Sequence, residues 1–351
     1  LAVAWRLVRD GHGVTVCDRG PAEQSALWAS GGMLAGAFEA GVELDPHHGL
    51  AEPFCELARR GADLWPDWAE RLEAETGRAL GYERRGALLP AFTAEESERA
   101  SAAMERARAL GFDAERLSAR QVADDEPGLA RTVGGIVFPG DGQLDNRALR
   151  DALLDAVRQA GGEVVTGLAA LEREAGRPVV VVDGARRIEA DLVVLASGAG
   201  LVDGAPAVAA AEPVKGQMAA FTAARPLAPN RVVRGFSVYL AAKPGMRLVV
   251  GATSEPGEAG LETDEAAIDR LVEAARRAAP GLAATPVSER WAGLRPRSAD
   301  SMPVIGEAQV GVFLATGGFR NGVLLAPAIA EAAAAWAATG RIDGAASYFL
   351  P

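Results

Sequence analysis

Residues 310–327, VGVFLATGGFRNGVLLAP, constrain this chain more than any other stretch. The apolar run 310–315 has the composition of a buried parallel strand. Thr316-Gly317-Gly318-Phe319 then turns, and an apolar helix is predicted from about Asn321 onward. A strand, a glycine turn and a helix in that order belong to an α/β layer. The same geometry aims free backbone N–H groups and the positive end of a helix dipole at whatever lies beyond the strand. An anionic atom suits such a corner. Upstream, WAGLRPRSADSMPVIG at 291–306 brings a strand end and a lone arginine, Arg295, followed by a Pro-bounded loop. Arg295 and Arg320 flank the turn and could hold a small carboxylate against it.

The start of the chain points the same way. Leu1, Ala4, Trp5 and Val8 share one helical face, with Gly11 as the stop. GVTVCD at 13–18 reads as a short buried strand ending in Asp18. Helix, tight turn, strand and terminal acid make the second half of a Rossmann βαβ unit, where the acid accepts hydrogen bonds from ribose hydroxyls. Such an acid follows a G-x-G-x-x-G turn by about 20 residues. That turn is therefore expected immediately before Leu1, outside the sequence in hand. SALWASGGMLAG at 25–36 suits a backbone lying close to a flat ligand, although an ordinary linker shares its composition. A second apolar strand, 190–196, ends in Ser197-Gly198-Ala199-Gly200, again the composition of a chain passing a dinucleotide.

With 351 residues, 49% apolar and 24% charged, the chain can bury a sizeable core in two domains or one large α/β unit. A net charge of -11 argues against a nucleic-acid partner. No apolar run approaches the length of a membrane span and no signal segment opens the chain, so no membrane partner is expected. Cys17 and Cys55 read as buried fillers, which fits a reducing cytosol. His12, His47 and His48 read as turn residues, and Asp124-Asp125-Glu126 as an acidic loop, so no metal is expected. Trp65 and Trp68 read as core of a helix over 50–76, and 94–110 as an amphipathic helix with a solvated face. Strands are predicted over 82–92, 134–138, 213–221, 231–242 and 246–252. Pro244-Gly245 makes the last two a hairpin with Tyr239 in its middle. The pattern is a dinucleotide unit interrupted by antiparallel blocks and resumed at the end.

WAGLRPRSADSMPVIG followed by ATGGFRNGVLLAP resembles the C-terminal signature of the glycine oxidase family. These are FAD enzymes of thiamine thiazole biosynthesis within the D-amino-acid oxidase superfamily. ASGGML at 29–34, PVKGQ at 213–217 and RLVVGAT at 247–253 resemble it in the same order, so the likeness spans nearly the whole chain. It implies an α/β Rossmann-like FAD-binding domain over 1–80, 146–203 and 287–351. An antiparallel-sheet substrate domain, of α+β type, would occupy 81–145 and 204–286. It also implies that Asp18 holds the ribose with Arg19 beside it. Ala26, Leu27, Gly31, Gly32 and Met33 would line the flavin and its ribityl-phosphate chain. Leu168 would meet the adenine end through its backbone, and Gly318, Phe319, Arg320, Asn321, Gly322, Val323 and Leu324 would approach the ring; Ser197 and Gly198 join the cofactor set from the strand-and-turn composition alone. Arg295 matches the substrate-carboxylate arginine, Tyr239 and Arg320 complete the polar contacts, and Met33 forms part of the wall. Where the family has histidine before Phe-Arg-Asn-Gly, this chain has Gly318. Ser254 and Ser237 stand where Met and His commonly line the cavity, which makes the expected pocket smaller or more polar.

The resemblance implies FAD-dependent oxidation of glycine or a similar small amino acid to the imine, with O2 reduced to H2O2. The α-hydrogen would leave as hydride, so no acid–base dyad is needed. A D-amino-acid dehydrogenase or sarcosine-type oxidase is the alternative among flavoenzymes. An inactive, N-terminally truncated flavoprotein is the alternative outside catalysis. A nicotinamide dehydrogenase rests on the Rossmann pattern alone. Subunit number stays open, a homo-oligomer included, and a cytoplasmic location is expected.

Overall fold

The computed structural model describes residues 1–222 and 229–351. Its parallel layer has two parts. Thr15–Asp18 runs parallel to Glu163–Thr166, and Val193–Leu195 runs parallel to Val312–Thr316, whose other edge pairs with Val304–Gln309. Helices Ala2–Arg9, Ala51–Thr76, Asn146–Gln159 and Gly322–Thr339 close over this layer in one core. Trp5 and Trp68 meet edge to face with ring centroids 4.7 Å apart, and both are buried as a helical apolar face requires. Trp65 is fixed by its indole N–H, which donates to Val323 O at 3.1 Å and Leu324 O at 3.2 Å. A Cβ on Gly61 would lie 2.3 Å from Leu324 O, so only glycine lets the two helices approach this closely.

The second layer is a nine-stranded sheet. From one edge its order is Glu255–Pro256, Glu212–Thr222, Arg247–Gly251, Tyr239–Lys243, Val232–Arg234, Ala87–Ala91, Gly134–Phe138 and Glu115–Ser118. The ninth strand, Val287–Arg297, pairs along Glu212–Thr222. Helix Glu265–Ala278, capped by Asp264 accepting from Ala267 N at 2.7 Å, buries Ile268 and Leu271 in one core with Phe221 and Leu248. Helix Ala94–Ala109 lays Ala103 and Met104 in a core with Leu89 and Phe138.

Several expectations need correction. The run 231–242 is two strands, because the chain reverses at Gly235, whose N–H donates to Val238 O at 2.9 Å. Tyr239 consequently pairs with Gly251 at the open end of the hairpin, not in its middle. Strand Val287–Arg297 joins the large sheet along Glu212–Thr222, with Arg295 opposite Val214. Glu126 is not a solvated loop residue: it is 1% exposed and accepts from Asn230 N at 2.6 Å and Arg231 Nε at 3.1 Å. Burial pushes its carboxyl above the usual range against those contacts. One helix, Gly322–Thr339, is long and apolar enough to cross a membrane by length and composition, with mean hydropathy 1.4. Alanine raises its hydropathy without bulk, and half of it is buried in the core of this fold. Cys17 is half-buried, Cys55 is buried, and both are free thiols. Burial pushes Cys55 up to about 11.

Candidate active site

A cavity of about 140 Å3 opens where strand Val287–Arg297, the hairpin at Tyr239 and the turn before helix Gly322–Thr339 converge. Met33, Tyr239, Arg295, Phe319 and Arg320 all line it, with Ala26 and Gly31 from the glycine-rich stretch. Arg295 reaches it from the end of its strand, and Nη1 donates to Thr253 O at 3.2 Å. Among the described residues the guanidinium has no carboxylate partner. Burial pulls it below its ordinary value, and the Arg320 charge adds to that while Tyr239 opposes it. A half-buried cation with no ion-pair partner is costly, so an anionic ligand here recovers energy the fold has already spent.

Tyr239 is held by two glycines. A Cβ on Gly251 would lie 2.3 Å from the ring, and one on Gly31 would lie 2.9 Å from the hydroxyl. The hydroxyl donates to Met218 Sδ at 3.5 Å, and burial pushes it up to about 12, so it stays a neutral donor. Met33 pairs with Gln143 in a two-residue strand and packs near Tyr239 and Ala241.

Arg320 is engaged as well as exposed to the cavity. Its Nη2 donates to Glu43 Oε1 at 2.7 Å, and its Nε lies 3.7 Å from Glu39 Oε1. Glu39 lines the cavity and accepts from both Nη1 and Nη2 of Arg234 at 3.0 Å. Burial works against ionised Glu39, but Arg320 and Arg234 together hold its carboxyl below the usual range. The helical turn that carries Glu39 is fixed by Asp141, whose two oxygens accept from Ala37 N at 2.9 Å and Phe38 N at 3.0 Å. Glu39, Arg234 and Asp141 were missed in the sequence. The available signal was Arg234, a charge inside an otherwise apolar strand, which demands a buried partner.

The amide-rich corner is built by backbone constraint. Gly317 has φ +68°, and a Cβ there would stand 2.8 Å from Met302 O. Phe319, at φ +40°, donates its N–H to Pro296 O at 3.0 Å, which ties the turn to the strand beside Arg295. Asn321 begins the helix with no side-chain cap, and a Cβ on Gly322 would enter open space. The amides of Gly322, Val323 and Leu324 are the first of the helix and have no intrahelical acceptor, while the Leu324 side chain is buried in the core. Gly318 packs against Gly322, 3.0 Å from its Cα at the Cβ position, and does not line the cavity.

The remaining expected residues are spread along the same edge. Asp18, the loop holding Ser197 and Gly198, and the Gly317-Gly318 turn each follow the C-terminal end of a parallel strand, the edge where doubly wound folds take a dinucleotide. Asp18 Oδ1 accepts from Gly20 N at 2.7 Å, and the Arg19 guanidinium lies 3.8 Å from a Cβ on Gly200, joining the two loops. Leu27 O accepts from Asn146 Nδ2 at 2.9 Å, and Gly32, at φ +62°, sits where a Cβ would meet Leu144 O at 2.3 Å. Leu168 has both backbone groups bonded to Asp183, its N–H to Oδ1 at 2.8 Å and its C=O accepting from N at 2.9 Å. Its side chain is exposed, and its carbonyl keeps a second lone pair for a ligand. Ser254 lines the cavity, whereas Ser237 lines a separate cleft with Phe236 and Arg277, a correction that follows from the reversal at Gly235.

Residues 1–336 match the family described as FAD dependent oxidoreductase. The chain belongs to that family. It is 29% identical over 335 residues to the glycine oxidase of Geobacillus kaustophilus, covering 93% of this chain and 86% of that protein. It is 32% identical over 357 residues to the bifunctional protein ThiO/ThiG of Trichormus variabilis, covering 99% of this chain but only 52% of the relative. The chain thus spans about half the length of that curated relative. Its fold superimposes on the crystal structure of the Geobacillus kaustophilus glycine oxidase with a TM-score of 0.89 at 28% identity, covering 99% of this chain and 94% of the other. FAD is this family's cofactor, and the donor set fits it. Asp18 offers a carboxylate at a strand end, Gly198 and Gly322 leave room where a Cβ would meet nothing, and the uncapped helix offers amides to an anionic edge.

Proposed function

We propose that this chain oxidises glycine or a similarly small amino acid to the imine, O2 being reduced to hydrogen peroxide, in the supply of thiamine thiazole. The carrying observation is Arg295, a half-buried guanidinium with no carboxylate partner among the described residues, facing a cavity of about 140 Å3. The names glycine oxidase and ThiO/ThiG on its relatives support the same substrate.

Arg295 takes the substrate carboxylate as a two-point pair, which fixes the rest of the molecule by its shortest lever. Neutral Tyr239 donates a further hydrogen bond from the same sheet, and Met33 and Phe319 exclude water with apolar surface. Bound FAD supplies the two-electron acceptor. Asp18, Arg19, Ala26, Leu27, Gly31, Gly32, Ser197, Gly198 and the 318–324 amides hold it in this reading. Segments 1–80, 146–203 and 287–351 then form the FAD-binding part and 81–145 with 204–286 the substrate part, with strand Val287–Arg297 shared between them. The free thiols of Cys17 and Cys55 accord with a cytoplasmic location.

The test is peroxide release from the FAD-loaded protein offered glycine, sarcosine, D-alanine and D-proline under air. Stoichiometric peroxide with glycine among the best substrates supports the reading. Turnover only with an artificial electron acceptor would instead indicate a dehydrogenase.

A further inference from the structure

Three guanidinium groups face the cavity, Arg234, Arg295 and Arg320, and one buried carboxylate, Glu39, sits among them. Glu39 is 5% exposed. One of its oxygens accepts from both Nη atoms of Arg234 at 3.0 Å and lies 3.7 Å from Arg320 Nε. Arg234 is also stacked over Phe38, its guanidinium carbon 3.7 Å from the ring centroid, so it cannot turn toward a ligand without losing both contacts. Arg320 has Glu43 on its exposed side at 2.7 Å and Glu39 on its buried side. Two of the three cations are therefore compensated by protein, and only Arg295 is left for a ligand anion.

We propose that Glu39 is a specificity-determining residue that limits the cavity to amines bearing a single carboxylate. The inference rests on the amino-acid oxidase reading and concerns which members of that substrate class enter. A second carboxylate on the substrate can be neutralised only by Arg320 or Arg234, and at either it meets Glu39 as a like charge at short range. Glu39 thus repels the dicarboxylate while occupying the groups that would otherwise bind it. Its position is set by the Asp141 cap on the same helical turn and by Arg106 Nε, which donates to Gly41 O at 2.8 Å.

The experiment compares Glu39→Gln with the unmodified FAD-loaded chain, using glycolate and diglycolate as unreactive mimics with one and two carboxylates. Affinities are read by calorimetry, and kcat/KM is read for glycine and iminodiacetate. In Glu39→Gln both ratios should move toward the dicarboxylate by at least about tenfold, the worth of one new charge-assisted pair. Glu39→Gln/Arg320→Gln should lose that gain. Should Glu39→Gln fail to fold, with Arg234 left buried and unpaired, Glu39→Gln/Arg234→Gln decides: it removes the pair together, keeps Arg320 and should shift the ratio the same way. Ratios unmoved in the folded variants, or a shift that survives loss of Arg320, would overturn the proposal. The affinity ratio needs no turnover, so it judges Glu39 even if the unmodified chain leaves glycine unoxidised, which would count against the proposed reaction alone.

Discussion

The Arg295 guanidinium occupies the space that a side chain on Gly216 would fill. A Cβ on Gly216 would lie 2.4 Å from Nη2 and 2.6 Å from the guanidinium carbon. The two residues sit on neighbouring antiparallel strands, with Val214 opposite Arg295 and Gly216 opposite Gly293, so they are diagonal neighbours on one face. The glycine of the PVKGQ stretch is thus the seat of the arginine of the C-terminal signature. Gly216→Ala should displace the guanidinium without removing it. The expected result is a rise in KM for glycine of about tenfold or more, with FAD content and secondary structure unchanged, read by steady-state kinetics and circular dichroism.

Tyr239 has the position of a catalytic acid or base but not the chemistry of one. Burial pushes its hydroxyl up to about 12, so it remains neutral across the working range. Tyr239→Phe should lower kcat/KM by about tenfold through the lost hydrogen bond and leave the shape of the pH–rate profile between pH 7 and 10 as it was. Disappearance of an ionisation from that profile would show that the phenol titrates.

Lys243 gives the fold a pH dependence of its own. It is 6% exposed, its Nζ donates to Gln143 Oε1 at 2.9 Å and Leu144 O at 2.8 Å, and burial pulls it down to about 7. The unfolded chain therefore binds this proton between pH 7 and the ordinary lysine value while the folded chain does not. By linkage, stability from this group rises with pH across that window and its full penalty is present below it. Denaturant unfolding should show the rise between pH 7 and 9, and Lys243→Met should flatten it.

The contact of Gly61 with Leu324 supports the site from behind. With a Cβ only 2.3 Å from Leu324 O, Gly61→Ala must separate helices Ala51–Thr76 and Gly322–Thr339. About 1–3 kcal/mol of stability should be lost in urea unfolding. The start of the second helix should shift as well, so FAD affinity should fall in the same variant.

Much of this was legible in the chain, and for stated reasons. Residues 312–327 declare strand, glycine turn and helix because burial and φ each leave a compositional trace there, whereas Val310, expected in the buried strand, precedes it and is 77% exposed. Met33, Tyr239, Arg295 and Arg320, drawn from four distant stretches, do line one cavity. The reversal at Gly235 was hidden because Arg231 to Ala242 alternates as one strand would, and only the pairing of Gly235 N with Val238 O breaks it. Ser237 was misplaced for that reason. The Glu39–Arg234 pair joins residues far apart in sequence, a relation that no local pattern encodes. Leu168 was assigned by resemblance, and its engagement by Asp183 depends on the Ala169–Glu174 and Arg177–Val182 hairpin.

The central claim is that Arg295 holds one small carboxylate in the cavity beside FAD bound at the 317–323 corner. The most direct measurement is glycolate titration of the FAD-loaded protein, followed by the flavin absorbance change, for the unmodified chain and Arg295→Ala. Loss of a charge-assisted two-point pair predicts a dissociation constant raised by about 30-fold or more, with FAD still bound. Equal dissociation constants in the two proteins would contradict the account.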